Sequence, residues 1–530
     1  MNKKREGIFL AVFLFFTTFF LTAGCYYSGA RYVGDTATYA QVTKNIAYTG
    51  KGESDMWSNG ISIIERHIWA IPVAELLDSE IAFEDTADPR KNMMGYHACF
   101  ILYLIAPLCY VMSEFACITI AQSLALALSL FFCILLMREK EVPWLLIIIT
   151  CILLTAHPGW SMPAVSGAFY PERIFMGTGM YLIWACEKKQ FSKLHFIVAT
   201  ILCMMVGERG ALYAGMFILA YTIFFWKERP QLRGMRLALG SAAVLYTGIM
   251  MKFFLANMYY SGLGSLFNIN SIVLYLSDPD NMRKVILFII INFCFYLVVA
   301  FMDWKALIIG MASTVPNLLY NVGGAEKIGW GLHYHVFYFV FLMWAVTRGM
   351  IKLYDVSKRW QKIKLIPYAV SLTVAFLISI VDPYDLSIRF NISNLNNNVV
   401  VCVRNNIRRD YFEGGAEKRR EFRQFINENI PSNSKVSSIE GAYCELETIP
   451  DIHAYLYPAG IKCADFAVVN YQNAEEGYDF EGAIVYANAE DVEIYNRGVV
   501  EKMREYGFDI DNPILFPSYS NGGVAILKRK

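Results

Sequence analysis

The sequence predicts a polytopic α-helical membrane protein with about eleven transmembrane helices and a C-terminal extracytoplasmic α/β domain. Three observations predict it. Hydrophobic residues make up 56% of the 530 residues and charged residues only 18%, against about 25% charged in soluble domains. The apolar residues fall in long runs. Lys and Arg concentrate in every second loop between those runs. Net charge is +1, which argues against nucleic acid as a partner. The 12 Cys contain no C-x-x-C and so give no zinc or redox spacing.

A span needs roughly 20 mainly apolar residues. The runs that approach this are Ile8–Ala23, Ala116–Met137, Pro143–Ala156, Tyr170–Cys186, Leu194–Val206, Gly210–Trp226, Leu237–Leu255, Val285–Met302, Ala306–Tyr320, His335–Thr347 and Leu365–Val381. With the N-terminus in the cytoplasm, the short inner loops hold 19 Lys/Arg and the short outer loops hold 4, as the positive-inside rule requires. Eleven spans then leave the tail outside. The first run also has some features of a cleaved signal, with Leu21-Thr-Ala-Gly-Cys25 at its end. A retained membrane anchor is the reading adopted. The division is residues 1–382 for the transmembrane domain, with 26–97 as its first outer loop, and 383–530 for the soluble domain.

The first outer loop should hold a helix from Asp35 to Tyr48 and an amphipathic stretch over Ile61–Leu77. His97–Val111 reads as a membrane-grazing helix broken by Pro107. In the tail, β-type runs (Lys435–Ile439, Phe466–Asn470, Ala483–Ala487, Val524–Leu527) alternate with helical ones (Ala416–Asn429, Asp491–Tyr506). The inner ends of the spans carry only ordinary cytoplasmic Lys and Arg.

Ionisable residues at membrane depth are expensive and so point to function. Here they gather on the outer side: Asp35, Glu65, Arg66, His67, His97, Glu172, Arg173, Glu208, Arg209, Lys327, His333 and His335. Asp35 is the leading catalytic candidate. A carboxylate there suits a general base or a metal ligand, and equally an acid opening the helix that follows. Glu172 and Glu208 are likewise either catalytic or helix-start acids favoured by the dipole. Arg173 and Arg209 either clamp a phosphate or pair with their Glu neighbours. His333 and His335 share one metal ion only if the backbone is extended between them. Otherwise they are polar residues at a span mouth, as His97 is a hydrogen-bonded interface residue. Asp278-Pro279-Asp280 reads as a turn rather than a metal motif. The aromatic residues suit interfacial belts and sugar stacking equally.

Asp35-Thr-Ala-Thr-Tyr39-Ala-Gln41, His97 with Pro107, Tyr110 and Gln122, Tyr170-Pro-Glu172, Gly207-Glu-Arg209, Asn317-Leu318 and His333-Tyr334 form an ordered series of short motifs. In it the chain resembles the domain-of-unknown-function family 2079, predicted bacterial membrane proteins related to GT-C-type glycosyltransferases. Ile430-Pro431, Tyr457-Pro458, Ala464-Asp-Phe466 and Gly523–Lys528 extend the resemblance into the tail. Tyr170 stands where the family has His, Gly207 and Arg209 where it has Lys and Asp, and an insertion lies between Gly50 and His97.

The resemblance implies a GT-C-like fold in the bacterial cytoplasmic (inner) membrane. It implies a glycosyltransferase that takes a sugar from a polyprenyl-phosphate-linked donor to a cell-envelope acceptor, with membrane lipid around it. Asp35, Glu172 and Glu208 would be catalytic. Tyr39, Gln41, His97, Arg173, Arg209, Lys327, His333 and Tyr334 would bind substrate. The cofactor is open, a divalent metal being one option. A non-catalytic envelope assembly protein and a lipid or solute transporter are the alternatives.

Overall fold

A computed structural model of the chain describes residues 3–27, 34–66, 71–86, 90–165, 168–255, 273, 276–290, 296, 298–319, 333–359, 364–379, 399–446, 449, 452–473, 478–481, 489–517 and 523–530. Lys327, His67 and the expected strand Ala483–Ala487 lie outside these residues, as does the side chain of His333. The chain forms two compact units. One is Met1–Cys25, Met94–Ile105 and Thr119–Asn406; the other is Tyr26–Met93, Ala106–Ile118 and Ile407–Lys530.

The first unit is helical. Among the described residues four helices are long and apolar enough to cross a membrane: Arg5–Tyr26, Glu114–Glu139, Pro230–Phe254 and Val336–Arg359. A fifth results if Trp144–Ala156 and Pro158–Ala164, bent by 74° at their junction, count as one span. Other apolar runs fall in shorter helices, including Phe175–Glu187, Lys193–Val206, Glu208–Phe224, Trp304–Leu319 and Ile366–Ser379. The run Tyr170–Cys186 shortens to Phe175–Glu187 because Pro171 opens a 3-10 turn before the helix, and Gly207 divides Lys193–Val206 from Glu208–Phe224.

Val336–Arg359 is the central helix. Phe337, Phe339, Phe341 and Trp344 are all buried, although they point to different sides of it, as expected of a helix that is apolar all round. Rings stack across the bundle, Phe217 on Phe341 at 5.0 Å and Tyr213 on Phe337 at 5.4 Å. Peripheral helices instead expose Phe15, Phe19, Leu145, Leu194, Met216 and Leu245. Apolar surface of this extent is costly in water and suited to lipid.

Gly349 sits on the central helix where the backbone of Val299 and Ala300 crosses it. A Cβ there would meet the Val299 carbonyl oxygen and lie 2.8 Å from Ala300 Cα. Neither obstacle can rotate away. Gly349→Ala should therefore destabilise the unit by about 1–3 kcal/mol, the usual cost of overpacking. A melting temperature in detergent equal to the wild type's would show that the helices do not approach this closely.

The second unit joins first-loop residues to tail residues. Helices Gly34–Thr49, Asp55–Glu65 and Val73–Ser79 and the two-stranded pair β1 (Glu53–Ser54) and β2 (Lys91–Asn92) come from the loop. The expected continuous stretch Ile61–Leu77 is instead two helices. Pro72, with no N–H to donate, caps the second.

The tail contributes β3 (Lys435–Ser438), β4 (His453–Leu456), β5 (Phe466–Asn473), β6 (Tyr478–Glu481), β7 (Ile514–Phe516) and β8 (Gly523–Lys528). The order is β4-β3-β5-β8-β7, with β6 also pairing β5. β3 runs parallel to both β4 and β5, and β8 antiparallel to β5. Central β5 is buried over Phe466–Val469 and exposed at Gln472 and Asn473. Helices Gly415–Asn429 and Ala489–Glu505 belong to the same part of the chain.

Loop and tail share backbone hydrogen bonds. Gly460 N–H donates to Glu84 O at 2.9 Å and Lys462 N–H to Phe83 O at 3.1 Å. The Asp55–Glu65 helix packs on strand β4. There Asn59 Oδ1 accepts the Leu456 N–H at 2.8 Å. An edge strand left bare would invite pairing with another chain.

Candidate functional site

The candidate site in the helical unit starts from a tight turn. Lys193–Val206 ends at Gly207 and Glu208–Phe224 begins at once. Gly207 has φ 155° and ψ 175°, a conformation open to glycine and strained for other residues. The turn puts Glu208 in a helix first turn, buried. Thr247 Oγ1 donates to its backbone carbonyl at 2.9 Å.

The Glu208 carboxylate then meets the segment before the Leu102–Ile105 helix. Its Oε2 accepts the Ala98 N–H at 3.2 Å, and its Oε1 lies 3.6 Å from His97 Nδ1. Glu172 is buried in the short 3-10 turn Pro171–Ile174. It lies within electrostatic reach of His97, Arg209 and Glu208. Arg209 holds its guanidinium 4.2 Å from the Tyr334 ring centroid, a cation–π contact. The turn His333–His335 packs on the turn Pro171–Ile174. Thus five residues expected from the sequence, His97, Glu172, Glu208, Arg209 and Tyr334, gather in one cluster. Two carboxylates, an imidazole and a guanidinium can together move a proton and hold an anion.

Other expected residues lie elsewhere. Arg173 is fully buried; it donates to the Ala168 carbonyl and lies 5.0 Å from the Tyr170 ring centroid. Asp35, Tyr39 and Gln41 belong to the second unit. Asp35 is exposed in the first turn of Gly34–Thr49, where a carboxylate is favoured by the helix dipole. Tyr39 is buried, and buried Gln41 accepts a hydrogen bond from Ser54 Oγ.

Among the described residues no group of three His, Cys, Asp or Glu is arranged to hold a metal. His333–His335 is a 3-10 turn, not the extended backbone a shared ion would require. Asp278 Oδ1 accepts the Asp280 N–H at 2.9 Å, so this D-x-D starts the helix Pro279–Ile289.

A second polar cluster corrects the expectation of ordinary Lys and Arg at the inner ends of the spans. Arg348 on the central helix bridges two acids: Nη1 lies 2.5 Å from Glu187 Oε1 and Nε 2.7 Å from Asp303 Oδ2. Lys352 adds a contact to Asp303 at 3.1 Å, and Trp344 Nε1–H donates to Glu187 at 2.8 Å. Glu187, Asp303, Arg348 and Lys352 line a cavity of 260 Å³. In the sequence Glu187 and Asp303 each stand within two residues of a Lys in a short segment between apolar runs.

The family model for "Predicted membrane protein (DUF2079)" matches residues 61–440, well over half of the chain. The chain belongs to the DUF2079 family. Within the DUF2079 match fall His97, Glu172, Glu208, Arg209 and Tyr334, the whole cluster. Asp35, Tyr39 and Gln41 precede it, and the last five strands, β4 to β8, follow it. No curated protein matches the chain.

Proposed function

We propose that this DUF2079 protein is a membrane glycosyltransferase. It moves a sugar from a polyprenyl-phosphate carrier to a cell-envelope acceptor on the outer face of the bacterial cytoplasmic membrane. The observation that carries the reading is the buried pair Glu172 and Glu208 beside His97 and Arg209, in a lipid-embedded family. A transfer of this kind needs a base for the acceptor hydroxyl and a cation for the departing phosphate. The acceptor oxygen bonds to the sugar's anomeric carbon, the bond from that carbon to the phosphate oxygen breaks, and the proton passes to the base. Glu208 with His97 suits the base, and Arg209 suits the phosphate. Asp35 stays in the reading as a second candidate base on the chemistry of an exposed carboxylate. Eleven spans, a cytoplasmic N-terminus, an outer α/β tail and GT-C-like architecture complete it, supported by the Lys/Arg asymmetry of the loops.

The test purifies wild type, Glu208→Gln and Asp35→Asn in mild detergent, identifies co-purifying lipids by mass spectrometry, and assays transfer with and without EDTA. Loss of the base should slow transfer about 10²–10⁴-fold and enrich a polyprenyl-phosphate sugar on the variant. Whichever variant does so names the base. Bulk phospholipid alone on all three proteins would favour the assembly or transporter reading instead.

A further inference from the structure

The chain lacks C-x-x-C spacing, yet the fold brings two cysteines together. Cys109 lies in the 3-10 turn Ala106–Tyr110 and Cys117 near the start of Glu114–Glu139. Their sulfur atoms are 3.7 Å apart. Both residues are buried, Cys109 at 8% and Cys117 at 0% exposure. A disulfide needs an S–S distance of about 2.05 Å, so closure asks for an approach of less than about 2 Å across a short turn. Cys117 Sγ also faces the Met112 carbonyl at 3.9 Å.

The turn is tied to its surroundings within the second unit. Tyr48 donates to the Cys109 carbonyl at 3.3 Å, and Tyr110 donates to the Ala47 carbonyl. The rings of Tyr48 and Tyr110 meet edge to face at 5.4 Å. Cys109 is thus held against the last turn of Gly34–Thr49, the helix whose first turn carries Asp35. Anything that stiffens the Cys109 turn also stiffens the seat of that helix.

We propose that Cys109 and Cys117 form a redox site, a dithiol that closes to an intramolecular disulfide by exchange with a small-molecule disulfide. One cysteine thiolate attacks the small disulfide and forms a mixed disulfide, and the first small thiol leaves. The second cysteine thiolate attacks the protein-side sulfur of that bond, and the second small thiol leaves. Two protein thiols are oxidised to one disulfide, one small disulfide is reduced to two thiols, and the two thiol protons end on the leaving groups. Closure links the 3-10 turn to the following helix and limits the unfolded chain.

The experiment uses the full-length protein in detergent, reduced and then incubated with oxidised glutathione. Free thiols are alkylated in denaturant and mapped by mass spectrometry. Alkylation of the 12 cysteines should fall by two on oxidation, with a linked Cys109–Cys117 peptide that vanishes after reduction. Cys109→Ser, checked for folding by its elution profile, should instead trap glutathione on Cys117. Both residues remaining fully alkylated after oxidation, or a bond mapping to other cysteines, would overturn the assignment.

Discussion

Arg348→Ala is expected to destabilise the helical unit by about 3–5 kcal/mol, the range for stranding a buried charge by deleting its partner. Arg348 is held between Glu187, whose side chain is 9% exposed, and Asp303, which is fully buried. Lys352 stays 3.1 Å from Asp303 in the variant, so that acid keeps a counter-charge. Among the described residues Glu187 keeps only the Trp344 N–H. The loss should therefore come mainly from Glu187, and Glu187→Gln in the Arg348→Ala background should recover part of it. Thermal unfolding in detergent reads both steps. If the single variant melts with the wild type, or if the second substitution lowers stability further, the acid was never stranded.

Much of the local structure was legible in the sequence because it depends on neighbours along the chain. The helix expected over Asp35–Tyr48 is Gly34–Thr49, and those expected over Ala416–Asn429 and Asp491–Tyr506 are Gly415–Asn429 and Ala489–Glu505. Strands expected from Lys435, Phe466 and Val524 are β3, β5 and β8. The strands not anticipated, β1, β2, β4, β6 and β7, are two to four residues long. Such segments are too short to show period-2 alternation and are fixed by their partners in the sheet.

The clusters were less legible, for a different reason. Glu172, Glu208 and His97 could be named one by one as costly residues in an apolar chain. Their meeting depends on how helices pack and on the sharp turn at Gly207. Arg173 shows the limit of naming by type. Its neighbour Glu172 joins the cluster, while Arg173 is buried against Tyr170 and the Ala168 carbonyl, because adjacent residues in a helical turn point apart. Asp303 and Arg348 are 45 positions apart, and Asp55 and His453 lie in the first loop and the tail. Composition and spacing carry no information about such pairs.

Arg90→Ala should destabilise the second unit by about 3 kcal/mol, the low end of the range for a broken buried pair. Asp55 is fully buried in its side chain, and Arg90 grips both its oxygens, from Nε at 2.5 Å and Nη2 at 2.9 Å. His453 Nδ1 lies 3.5 Å away on strand β4. About a third of the Arg90 side chain faces solvent, which weakens the pair by screening. Burial pushes the Asp55 carboxyl above its ordinary range, against the opposing pull of Arg90 and His453.

Removing Arg90 removes the stronger pull, so the folded-state pKa rises further. An acid with a raised folded pKa stabilises the fold relatively at low pH, and that contribution is lost as pH rises from the ordinary carboxyl range through the raised value. The deficit of Arg90→Ala should thus be least in acid, where Asp55 is neutral, and should widen toward neutrality. Hydrogen exchange of the full-length protein can follow this at Leu456, whose N–H is held by Asn59 on the Asp55–Glu65 helix. Protection should drop in the variant, and drop more at neutral pH after correction for intrinsic exchange. Equal protection at both pH values would mean that Asp55 does not depend on Arg90 for its place in the fold.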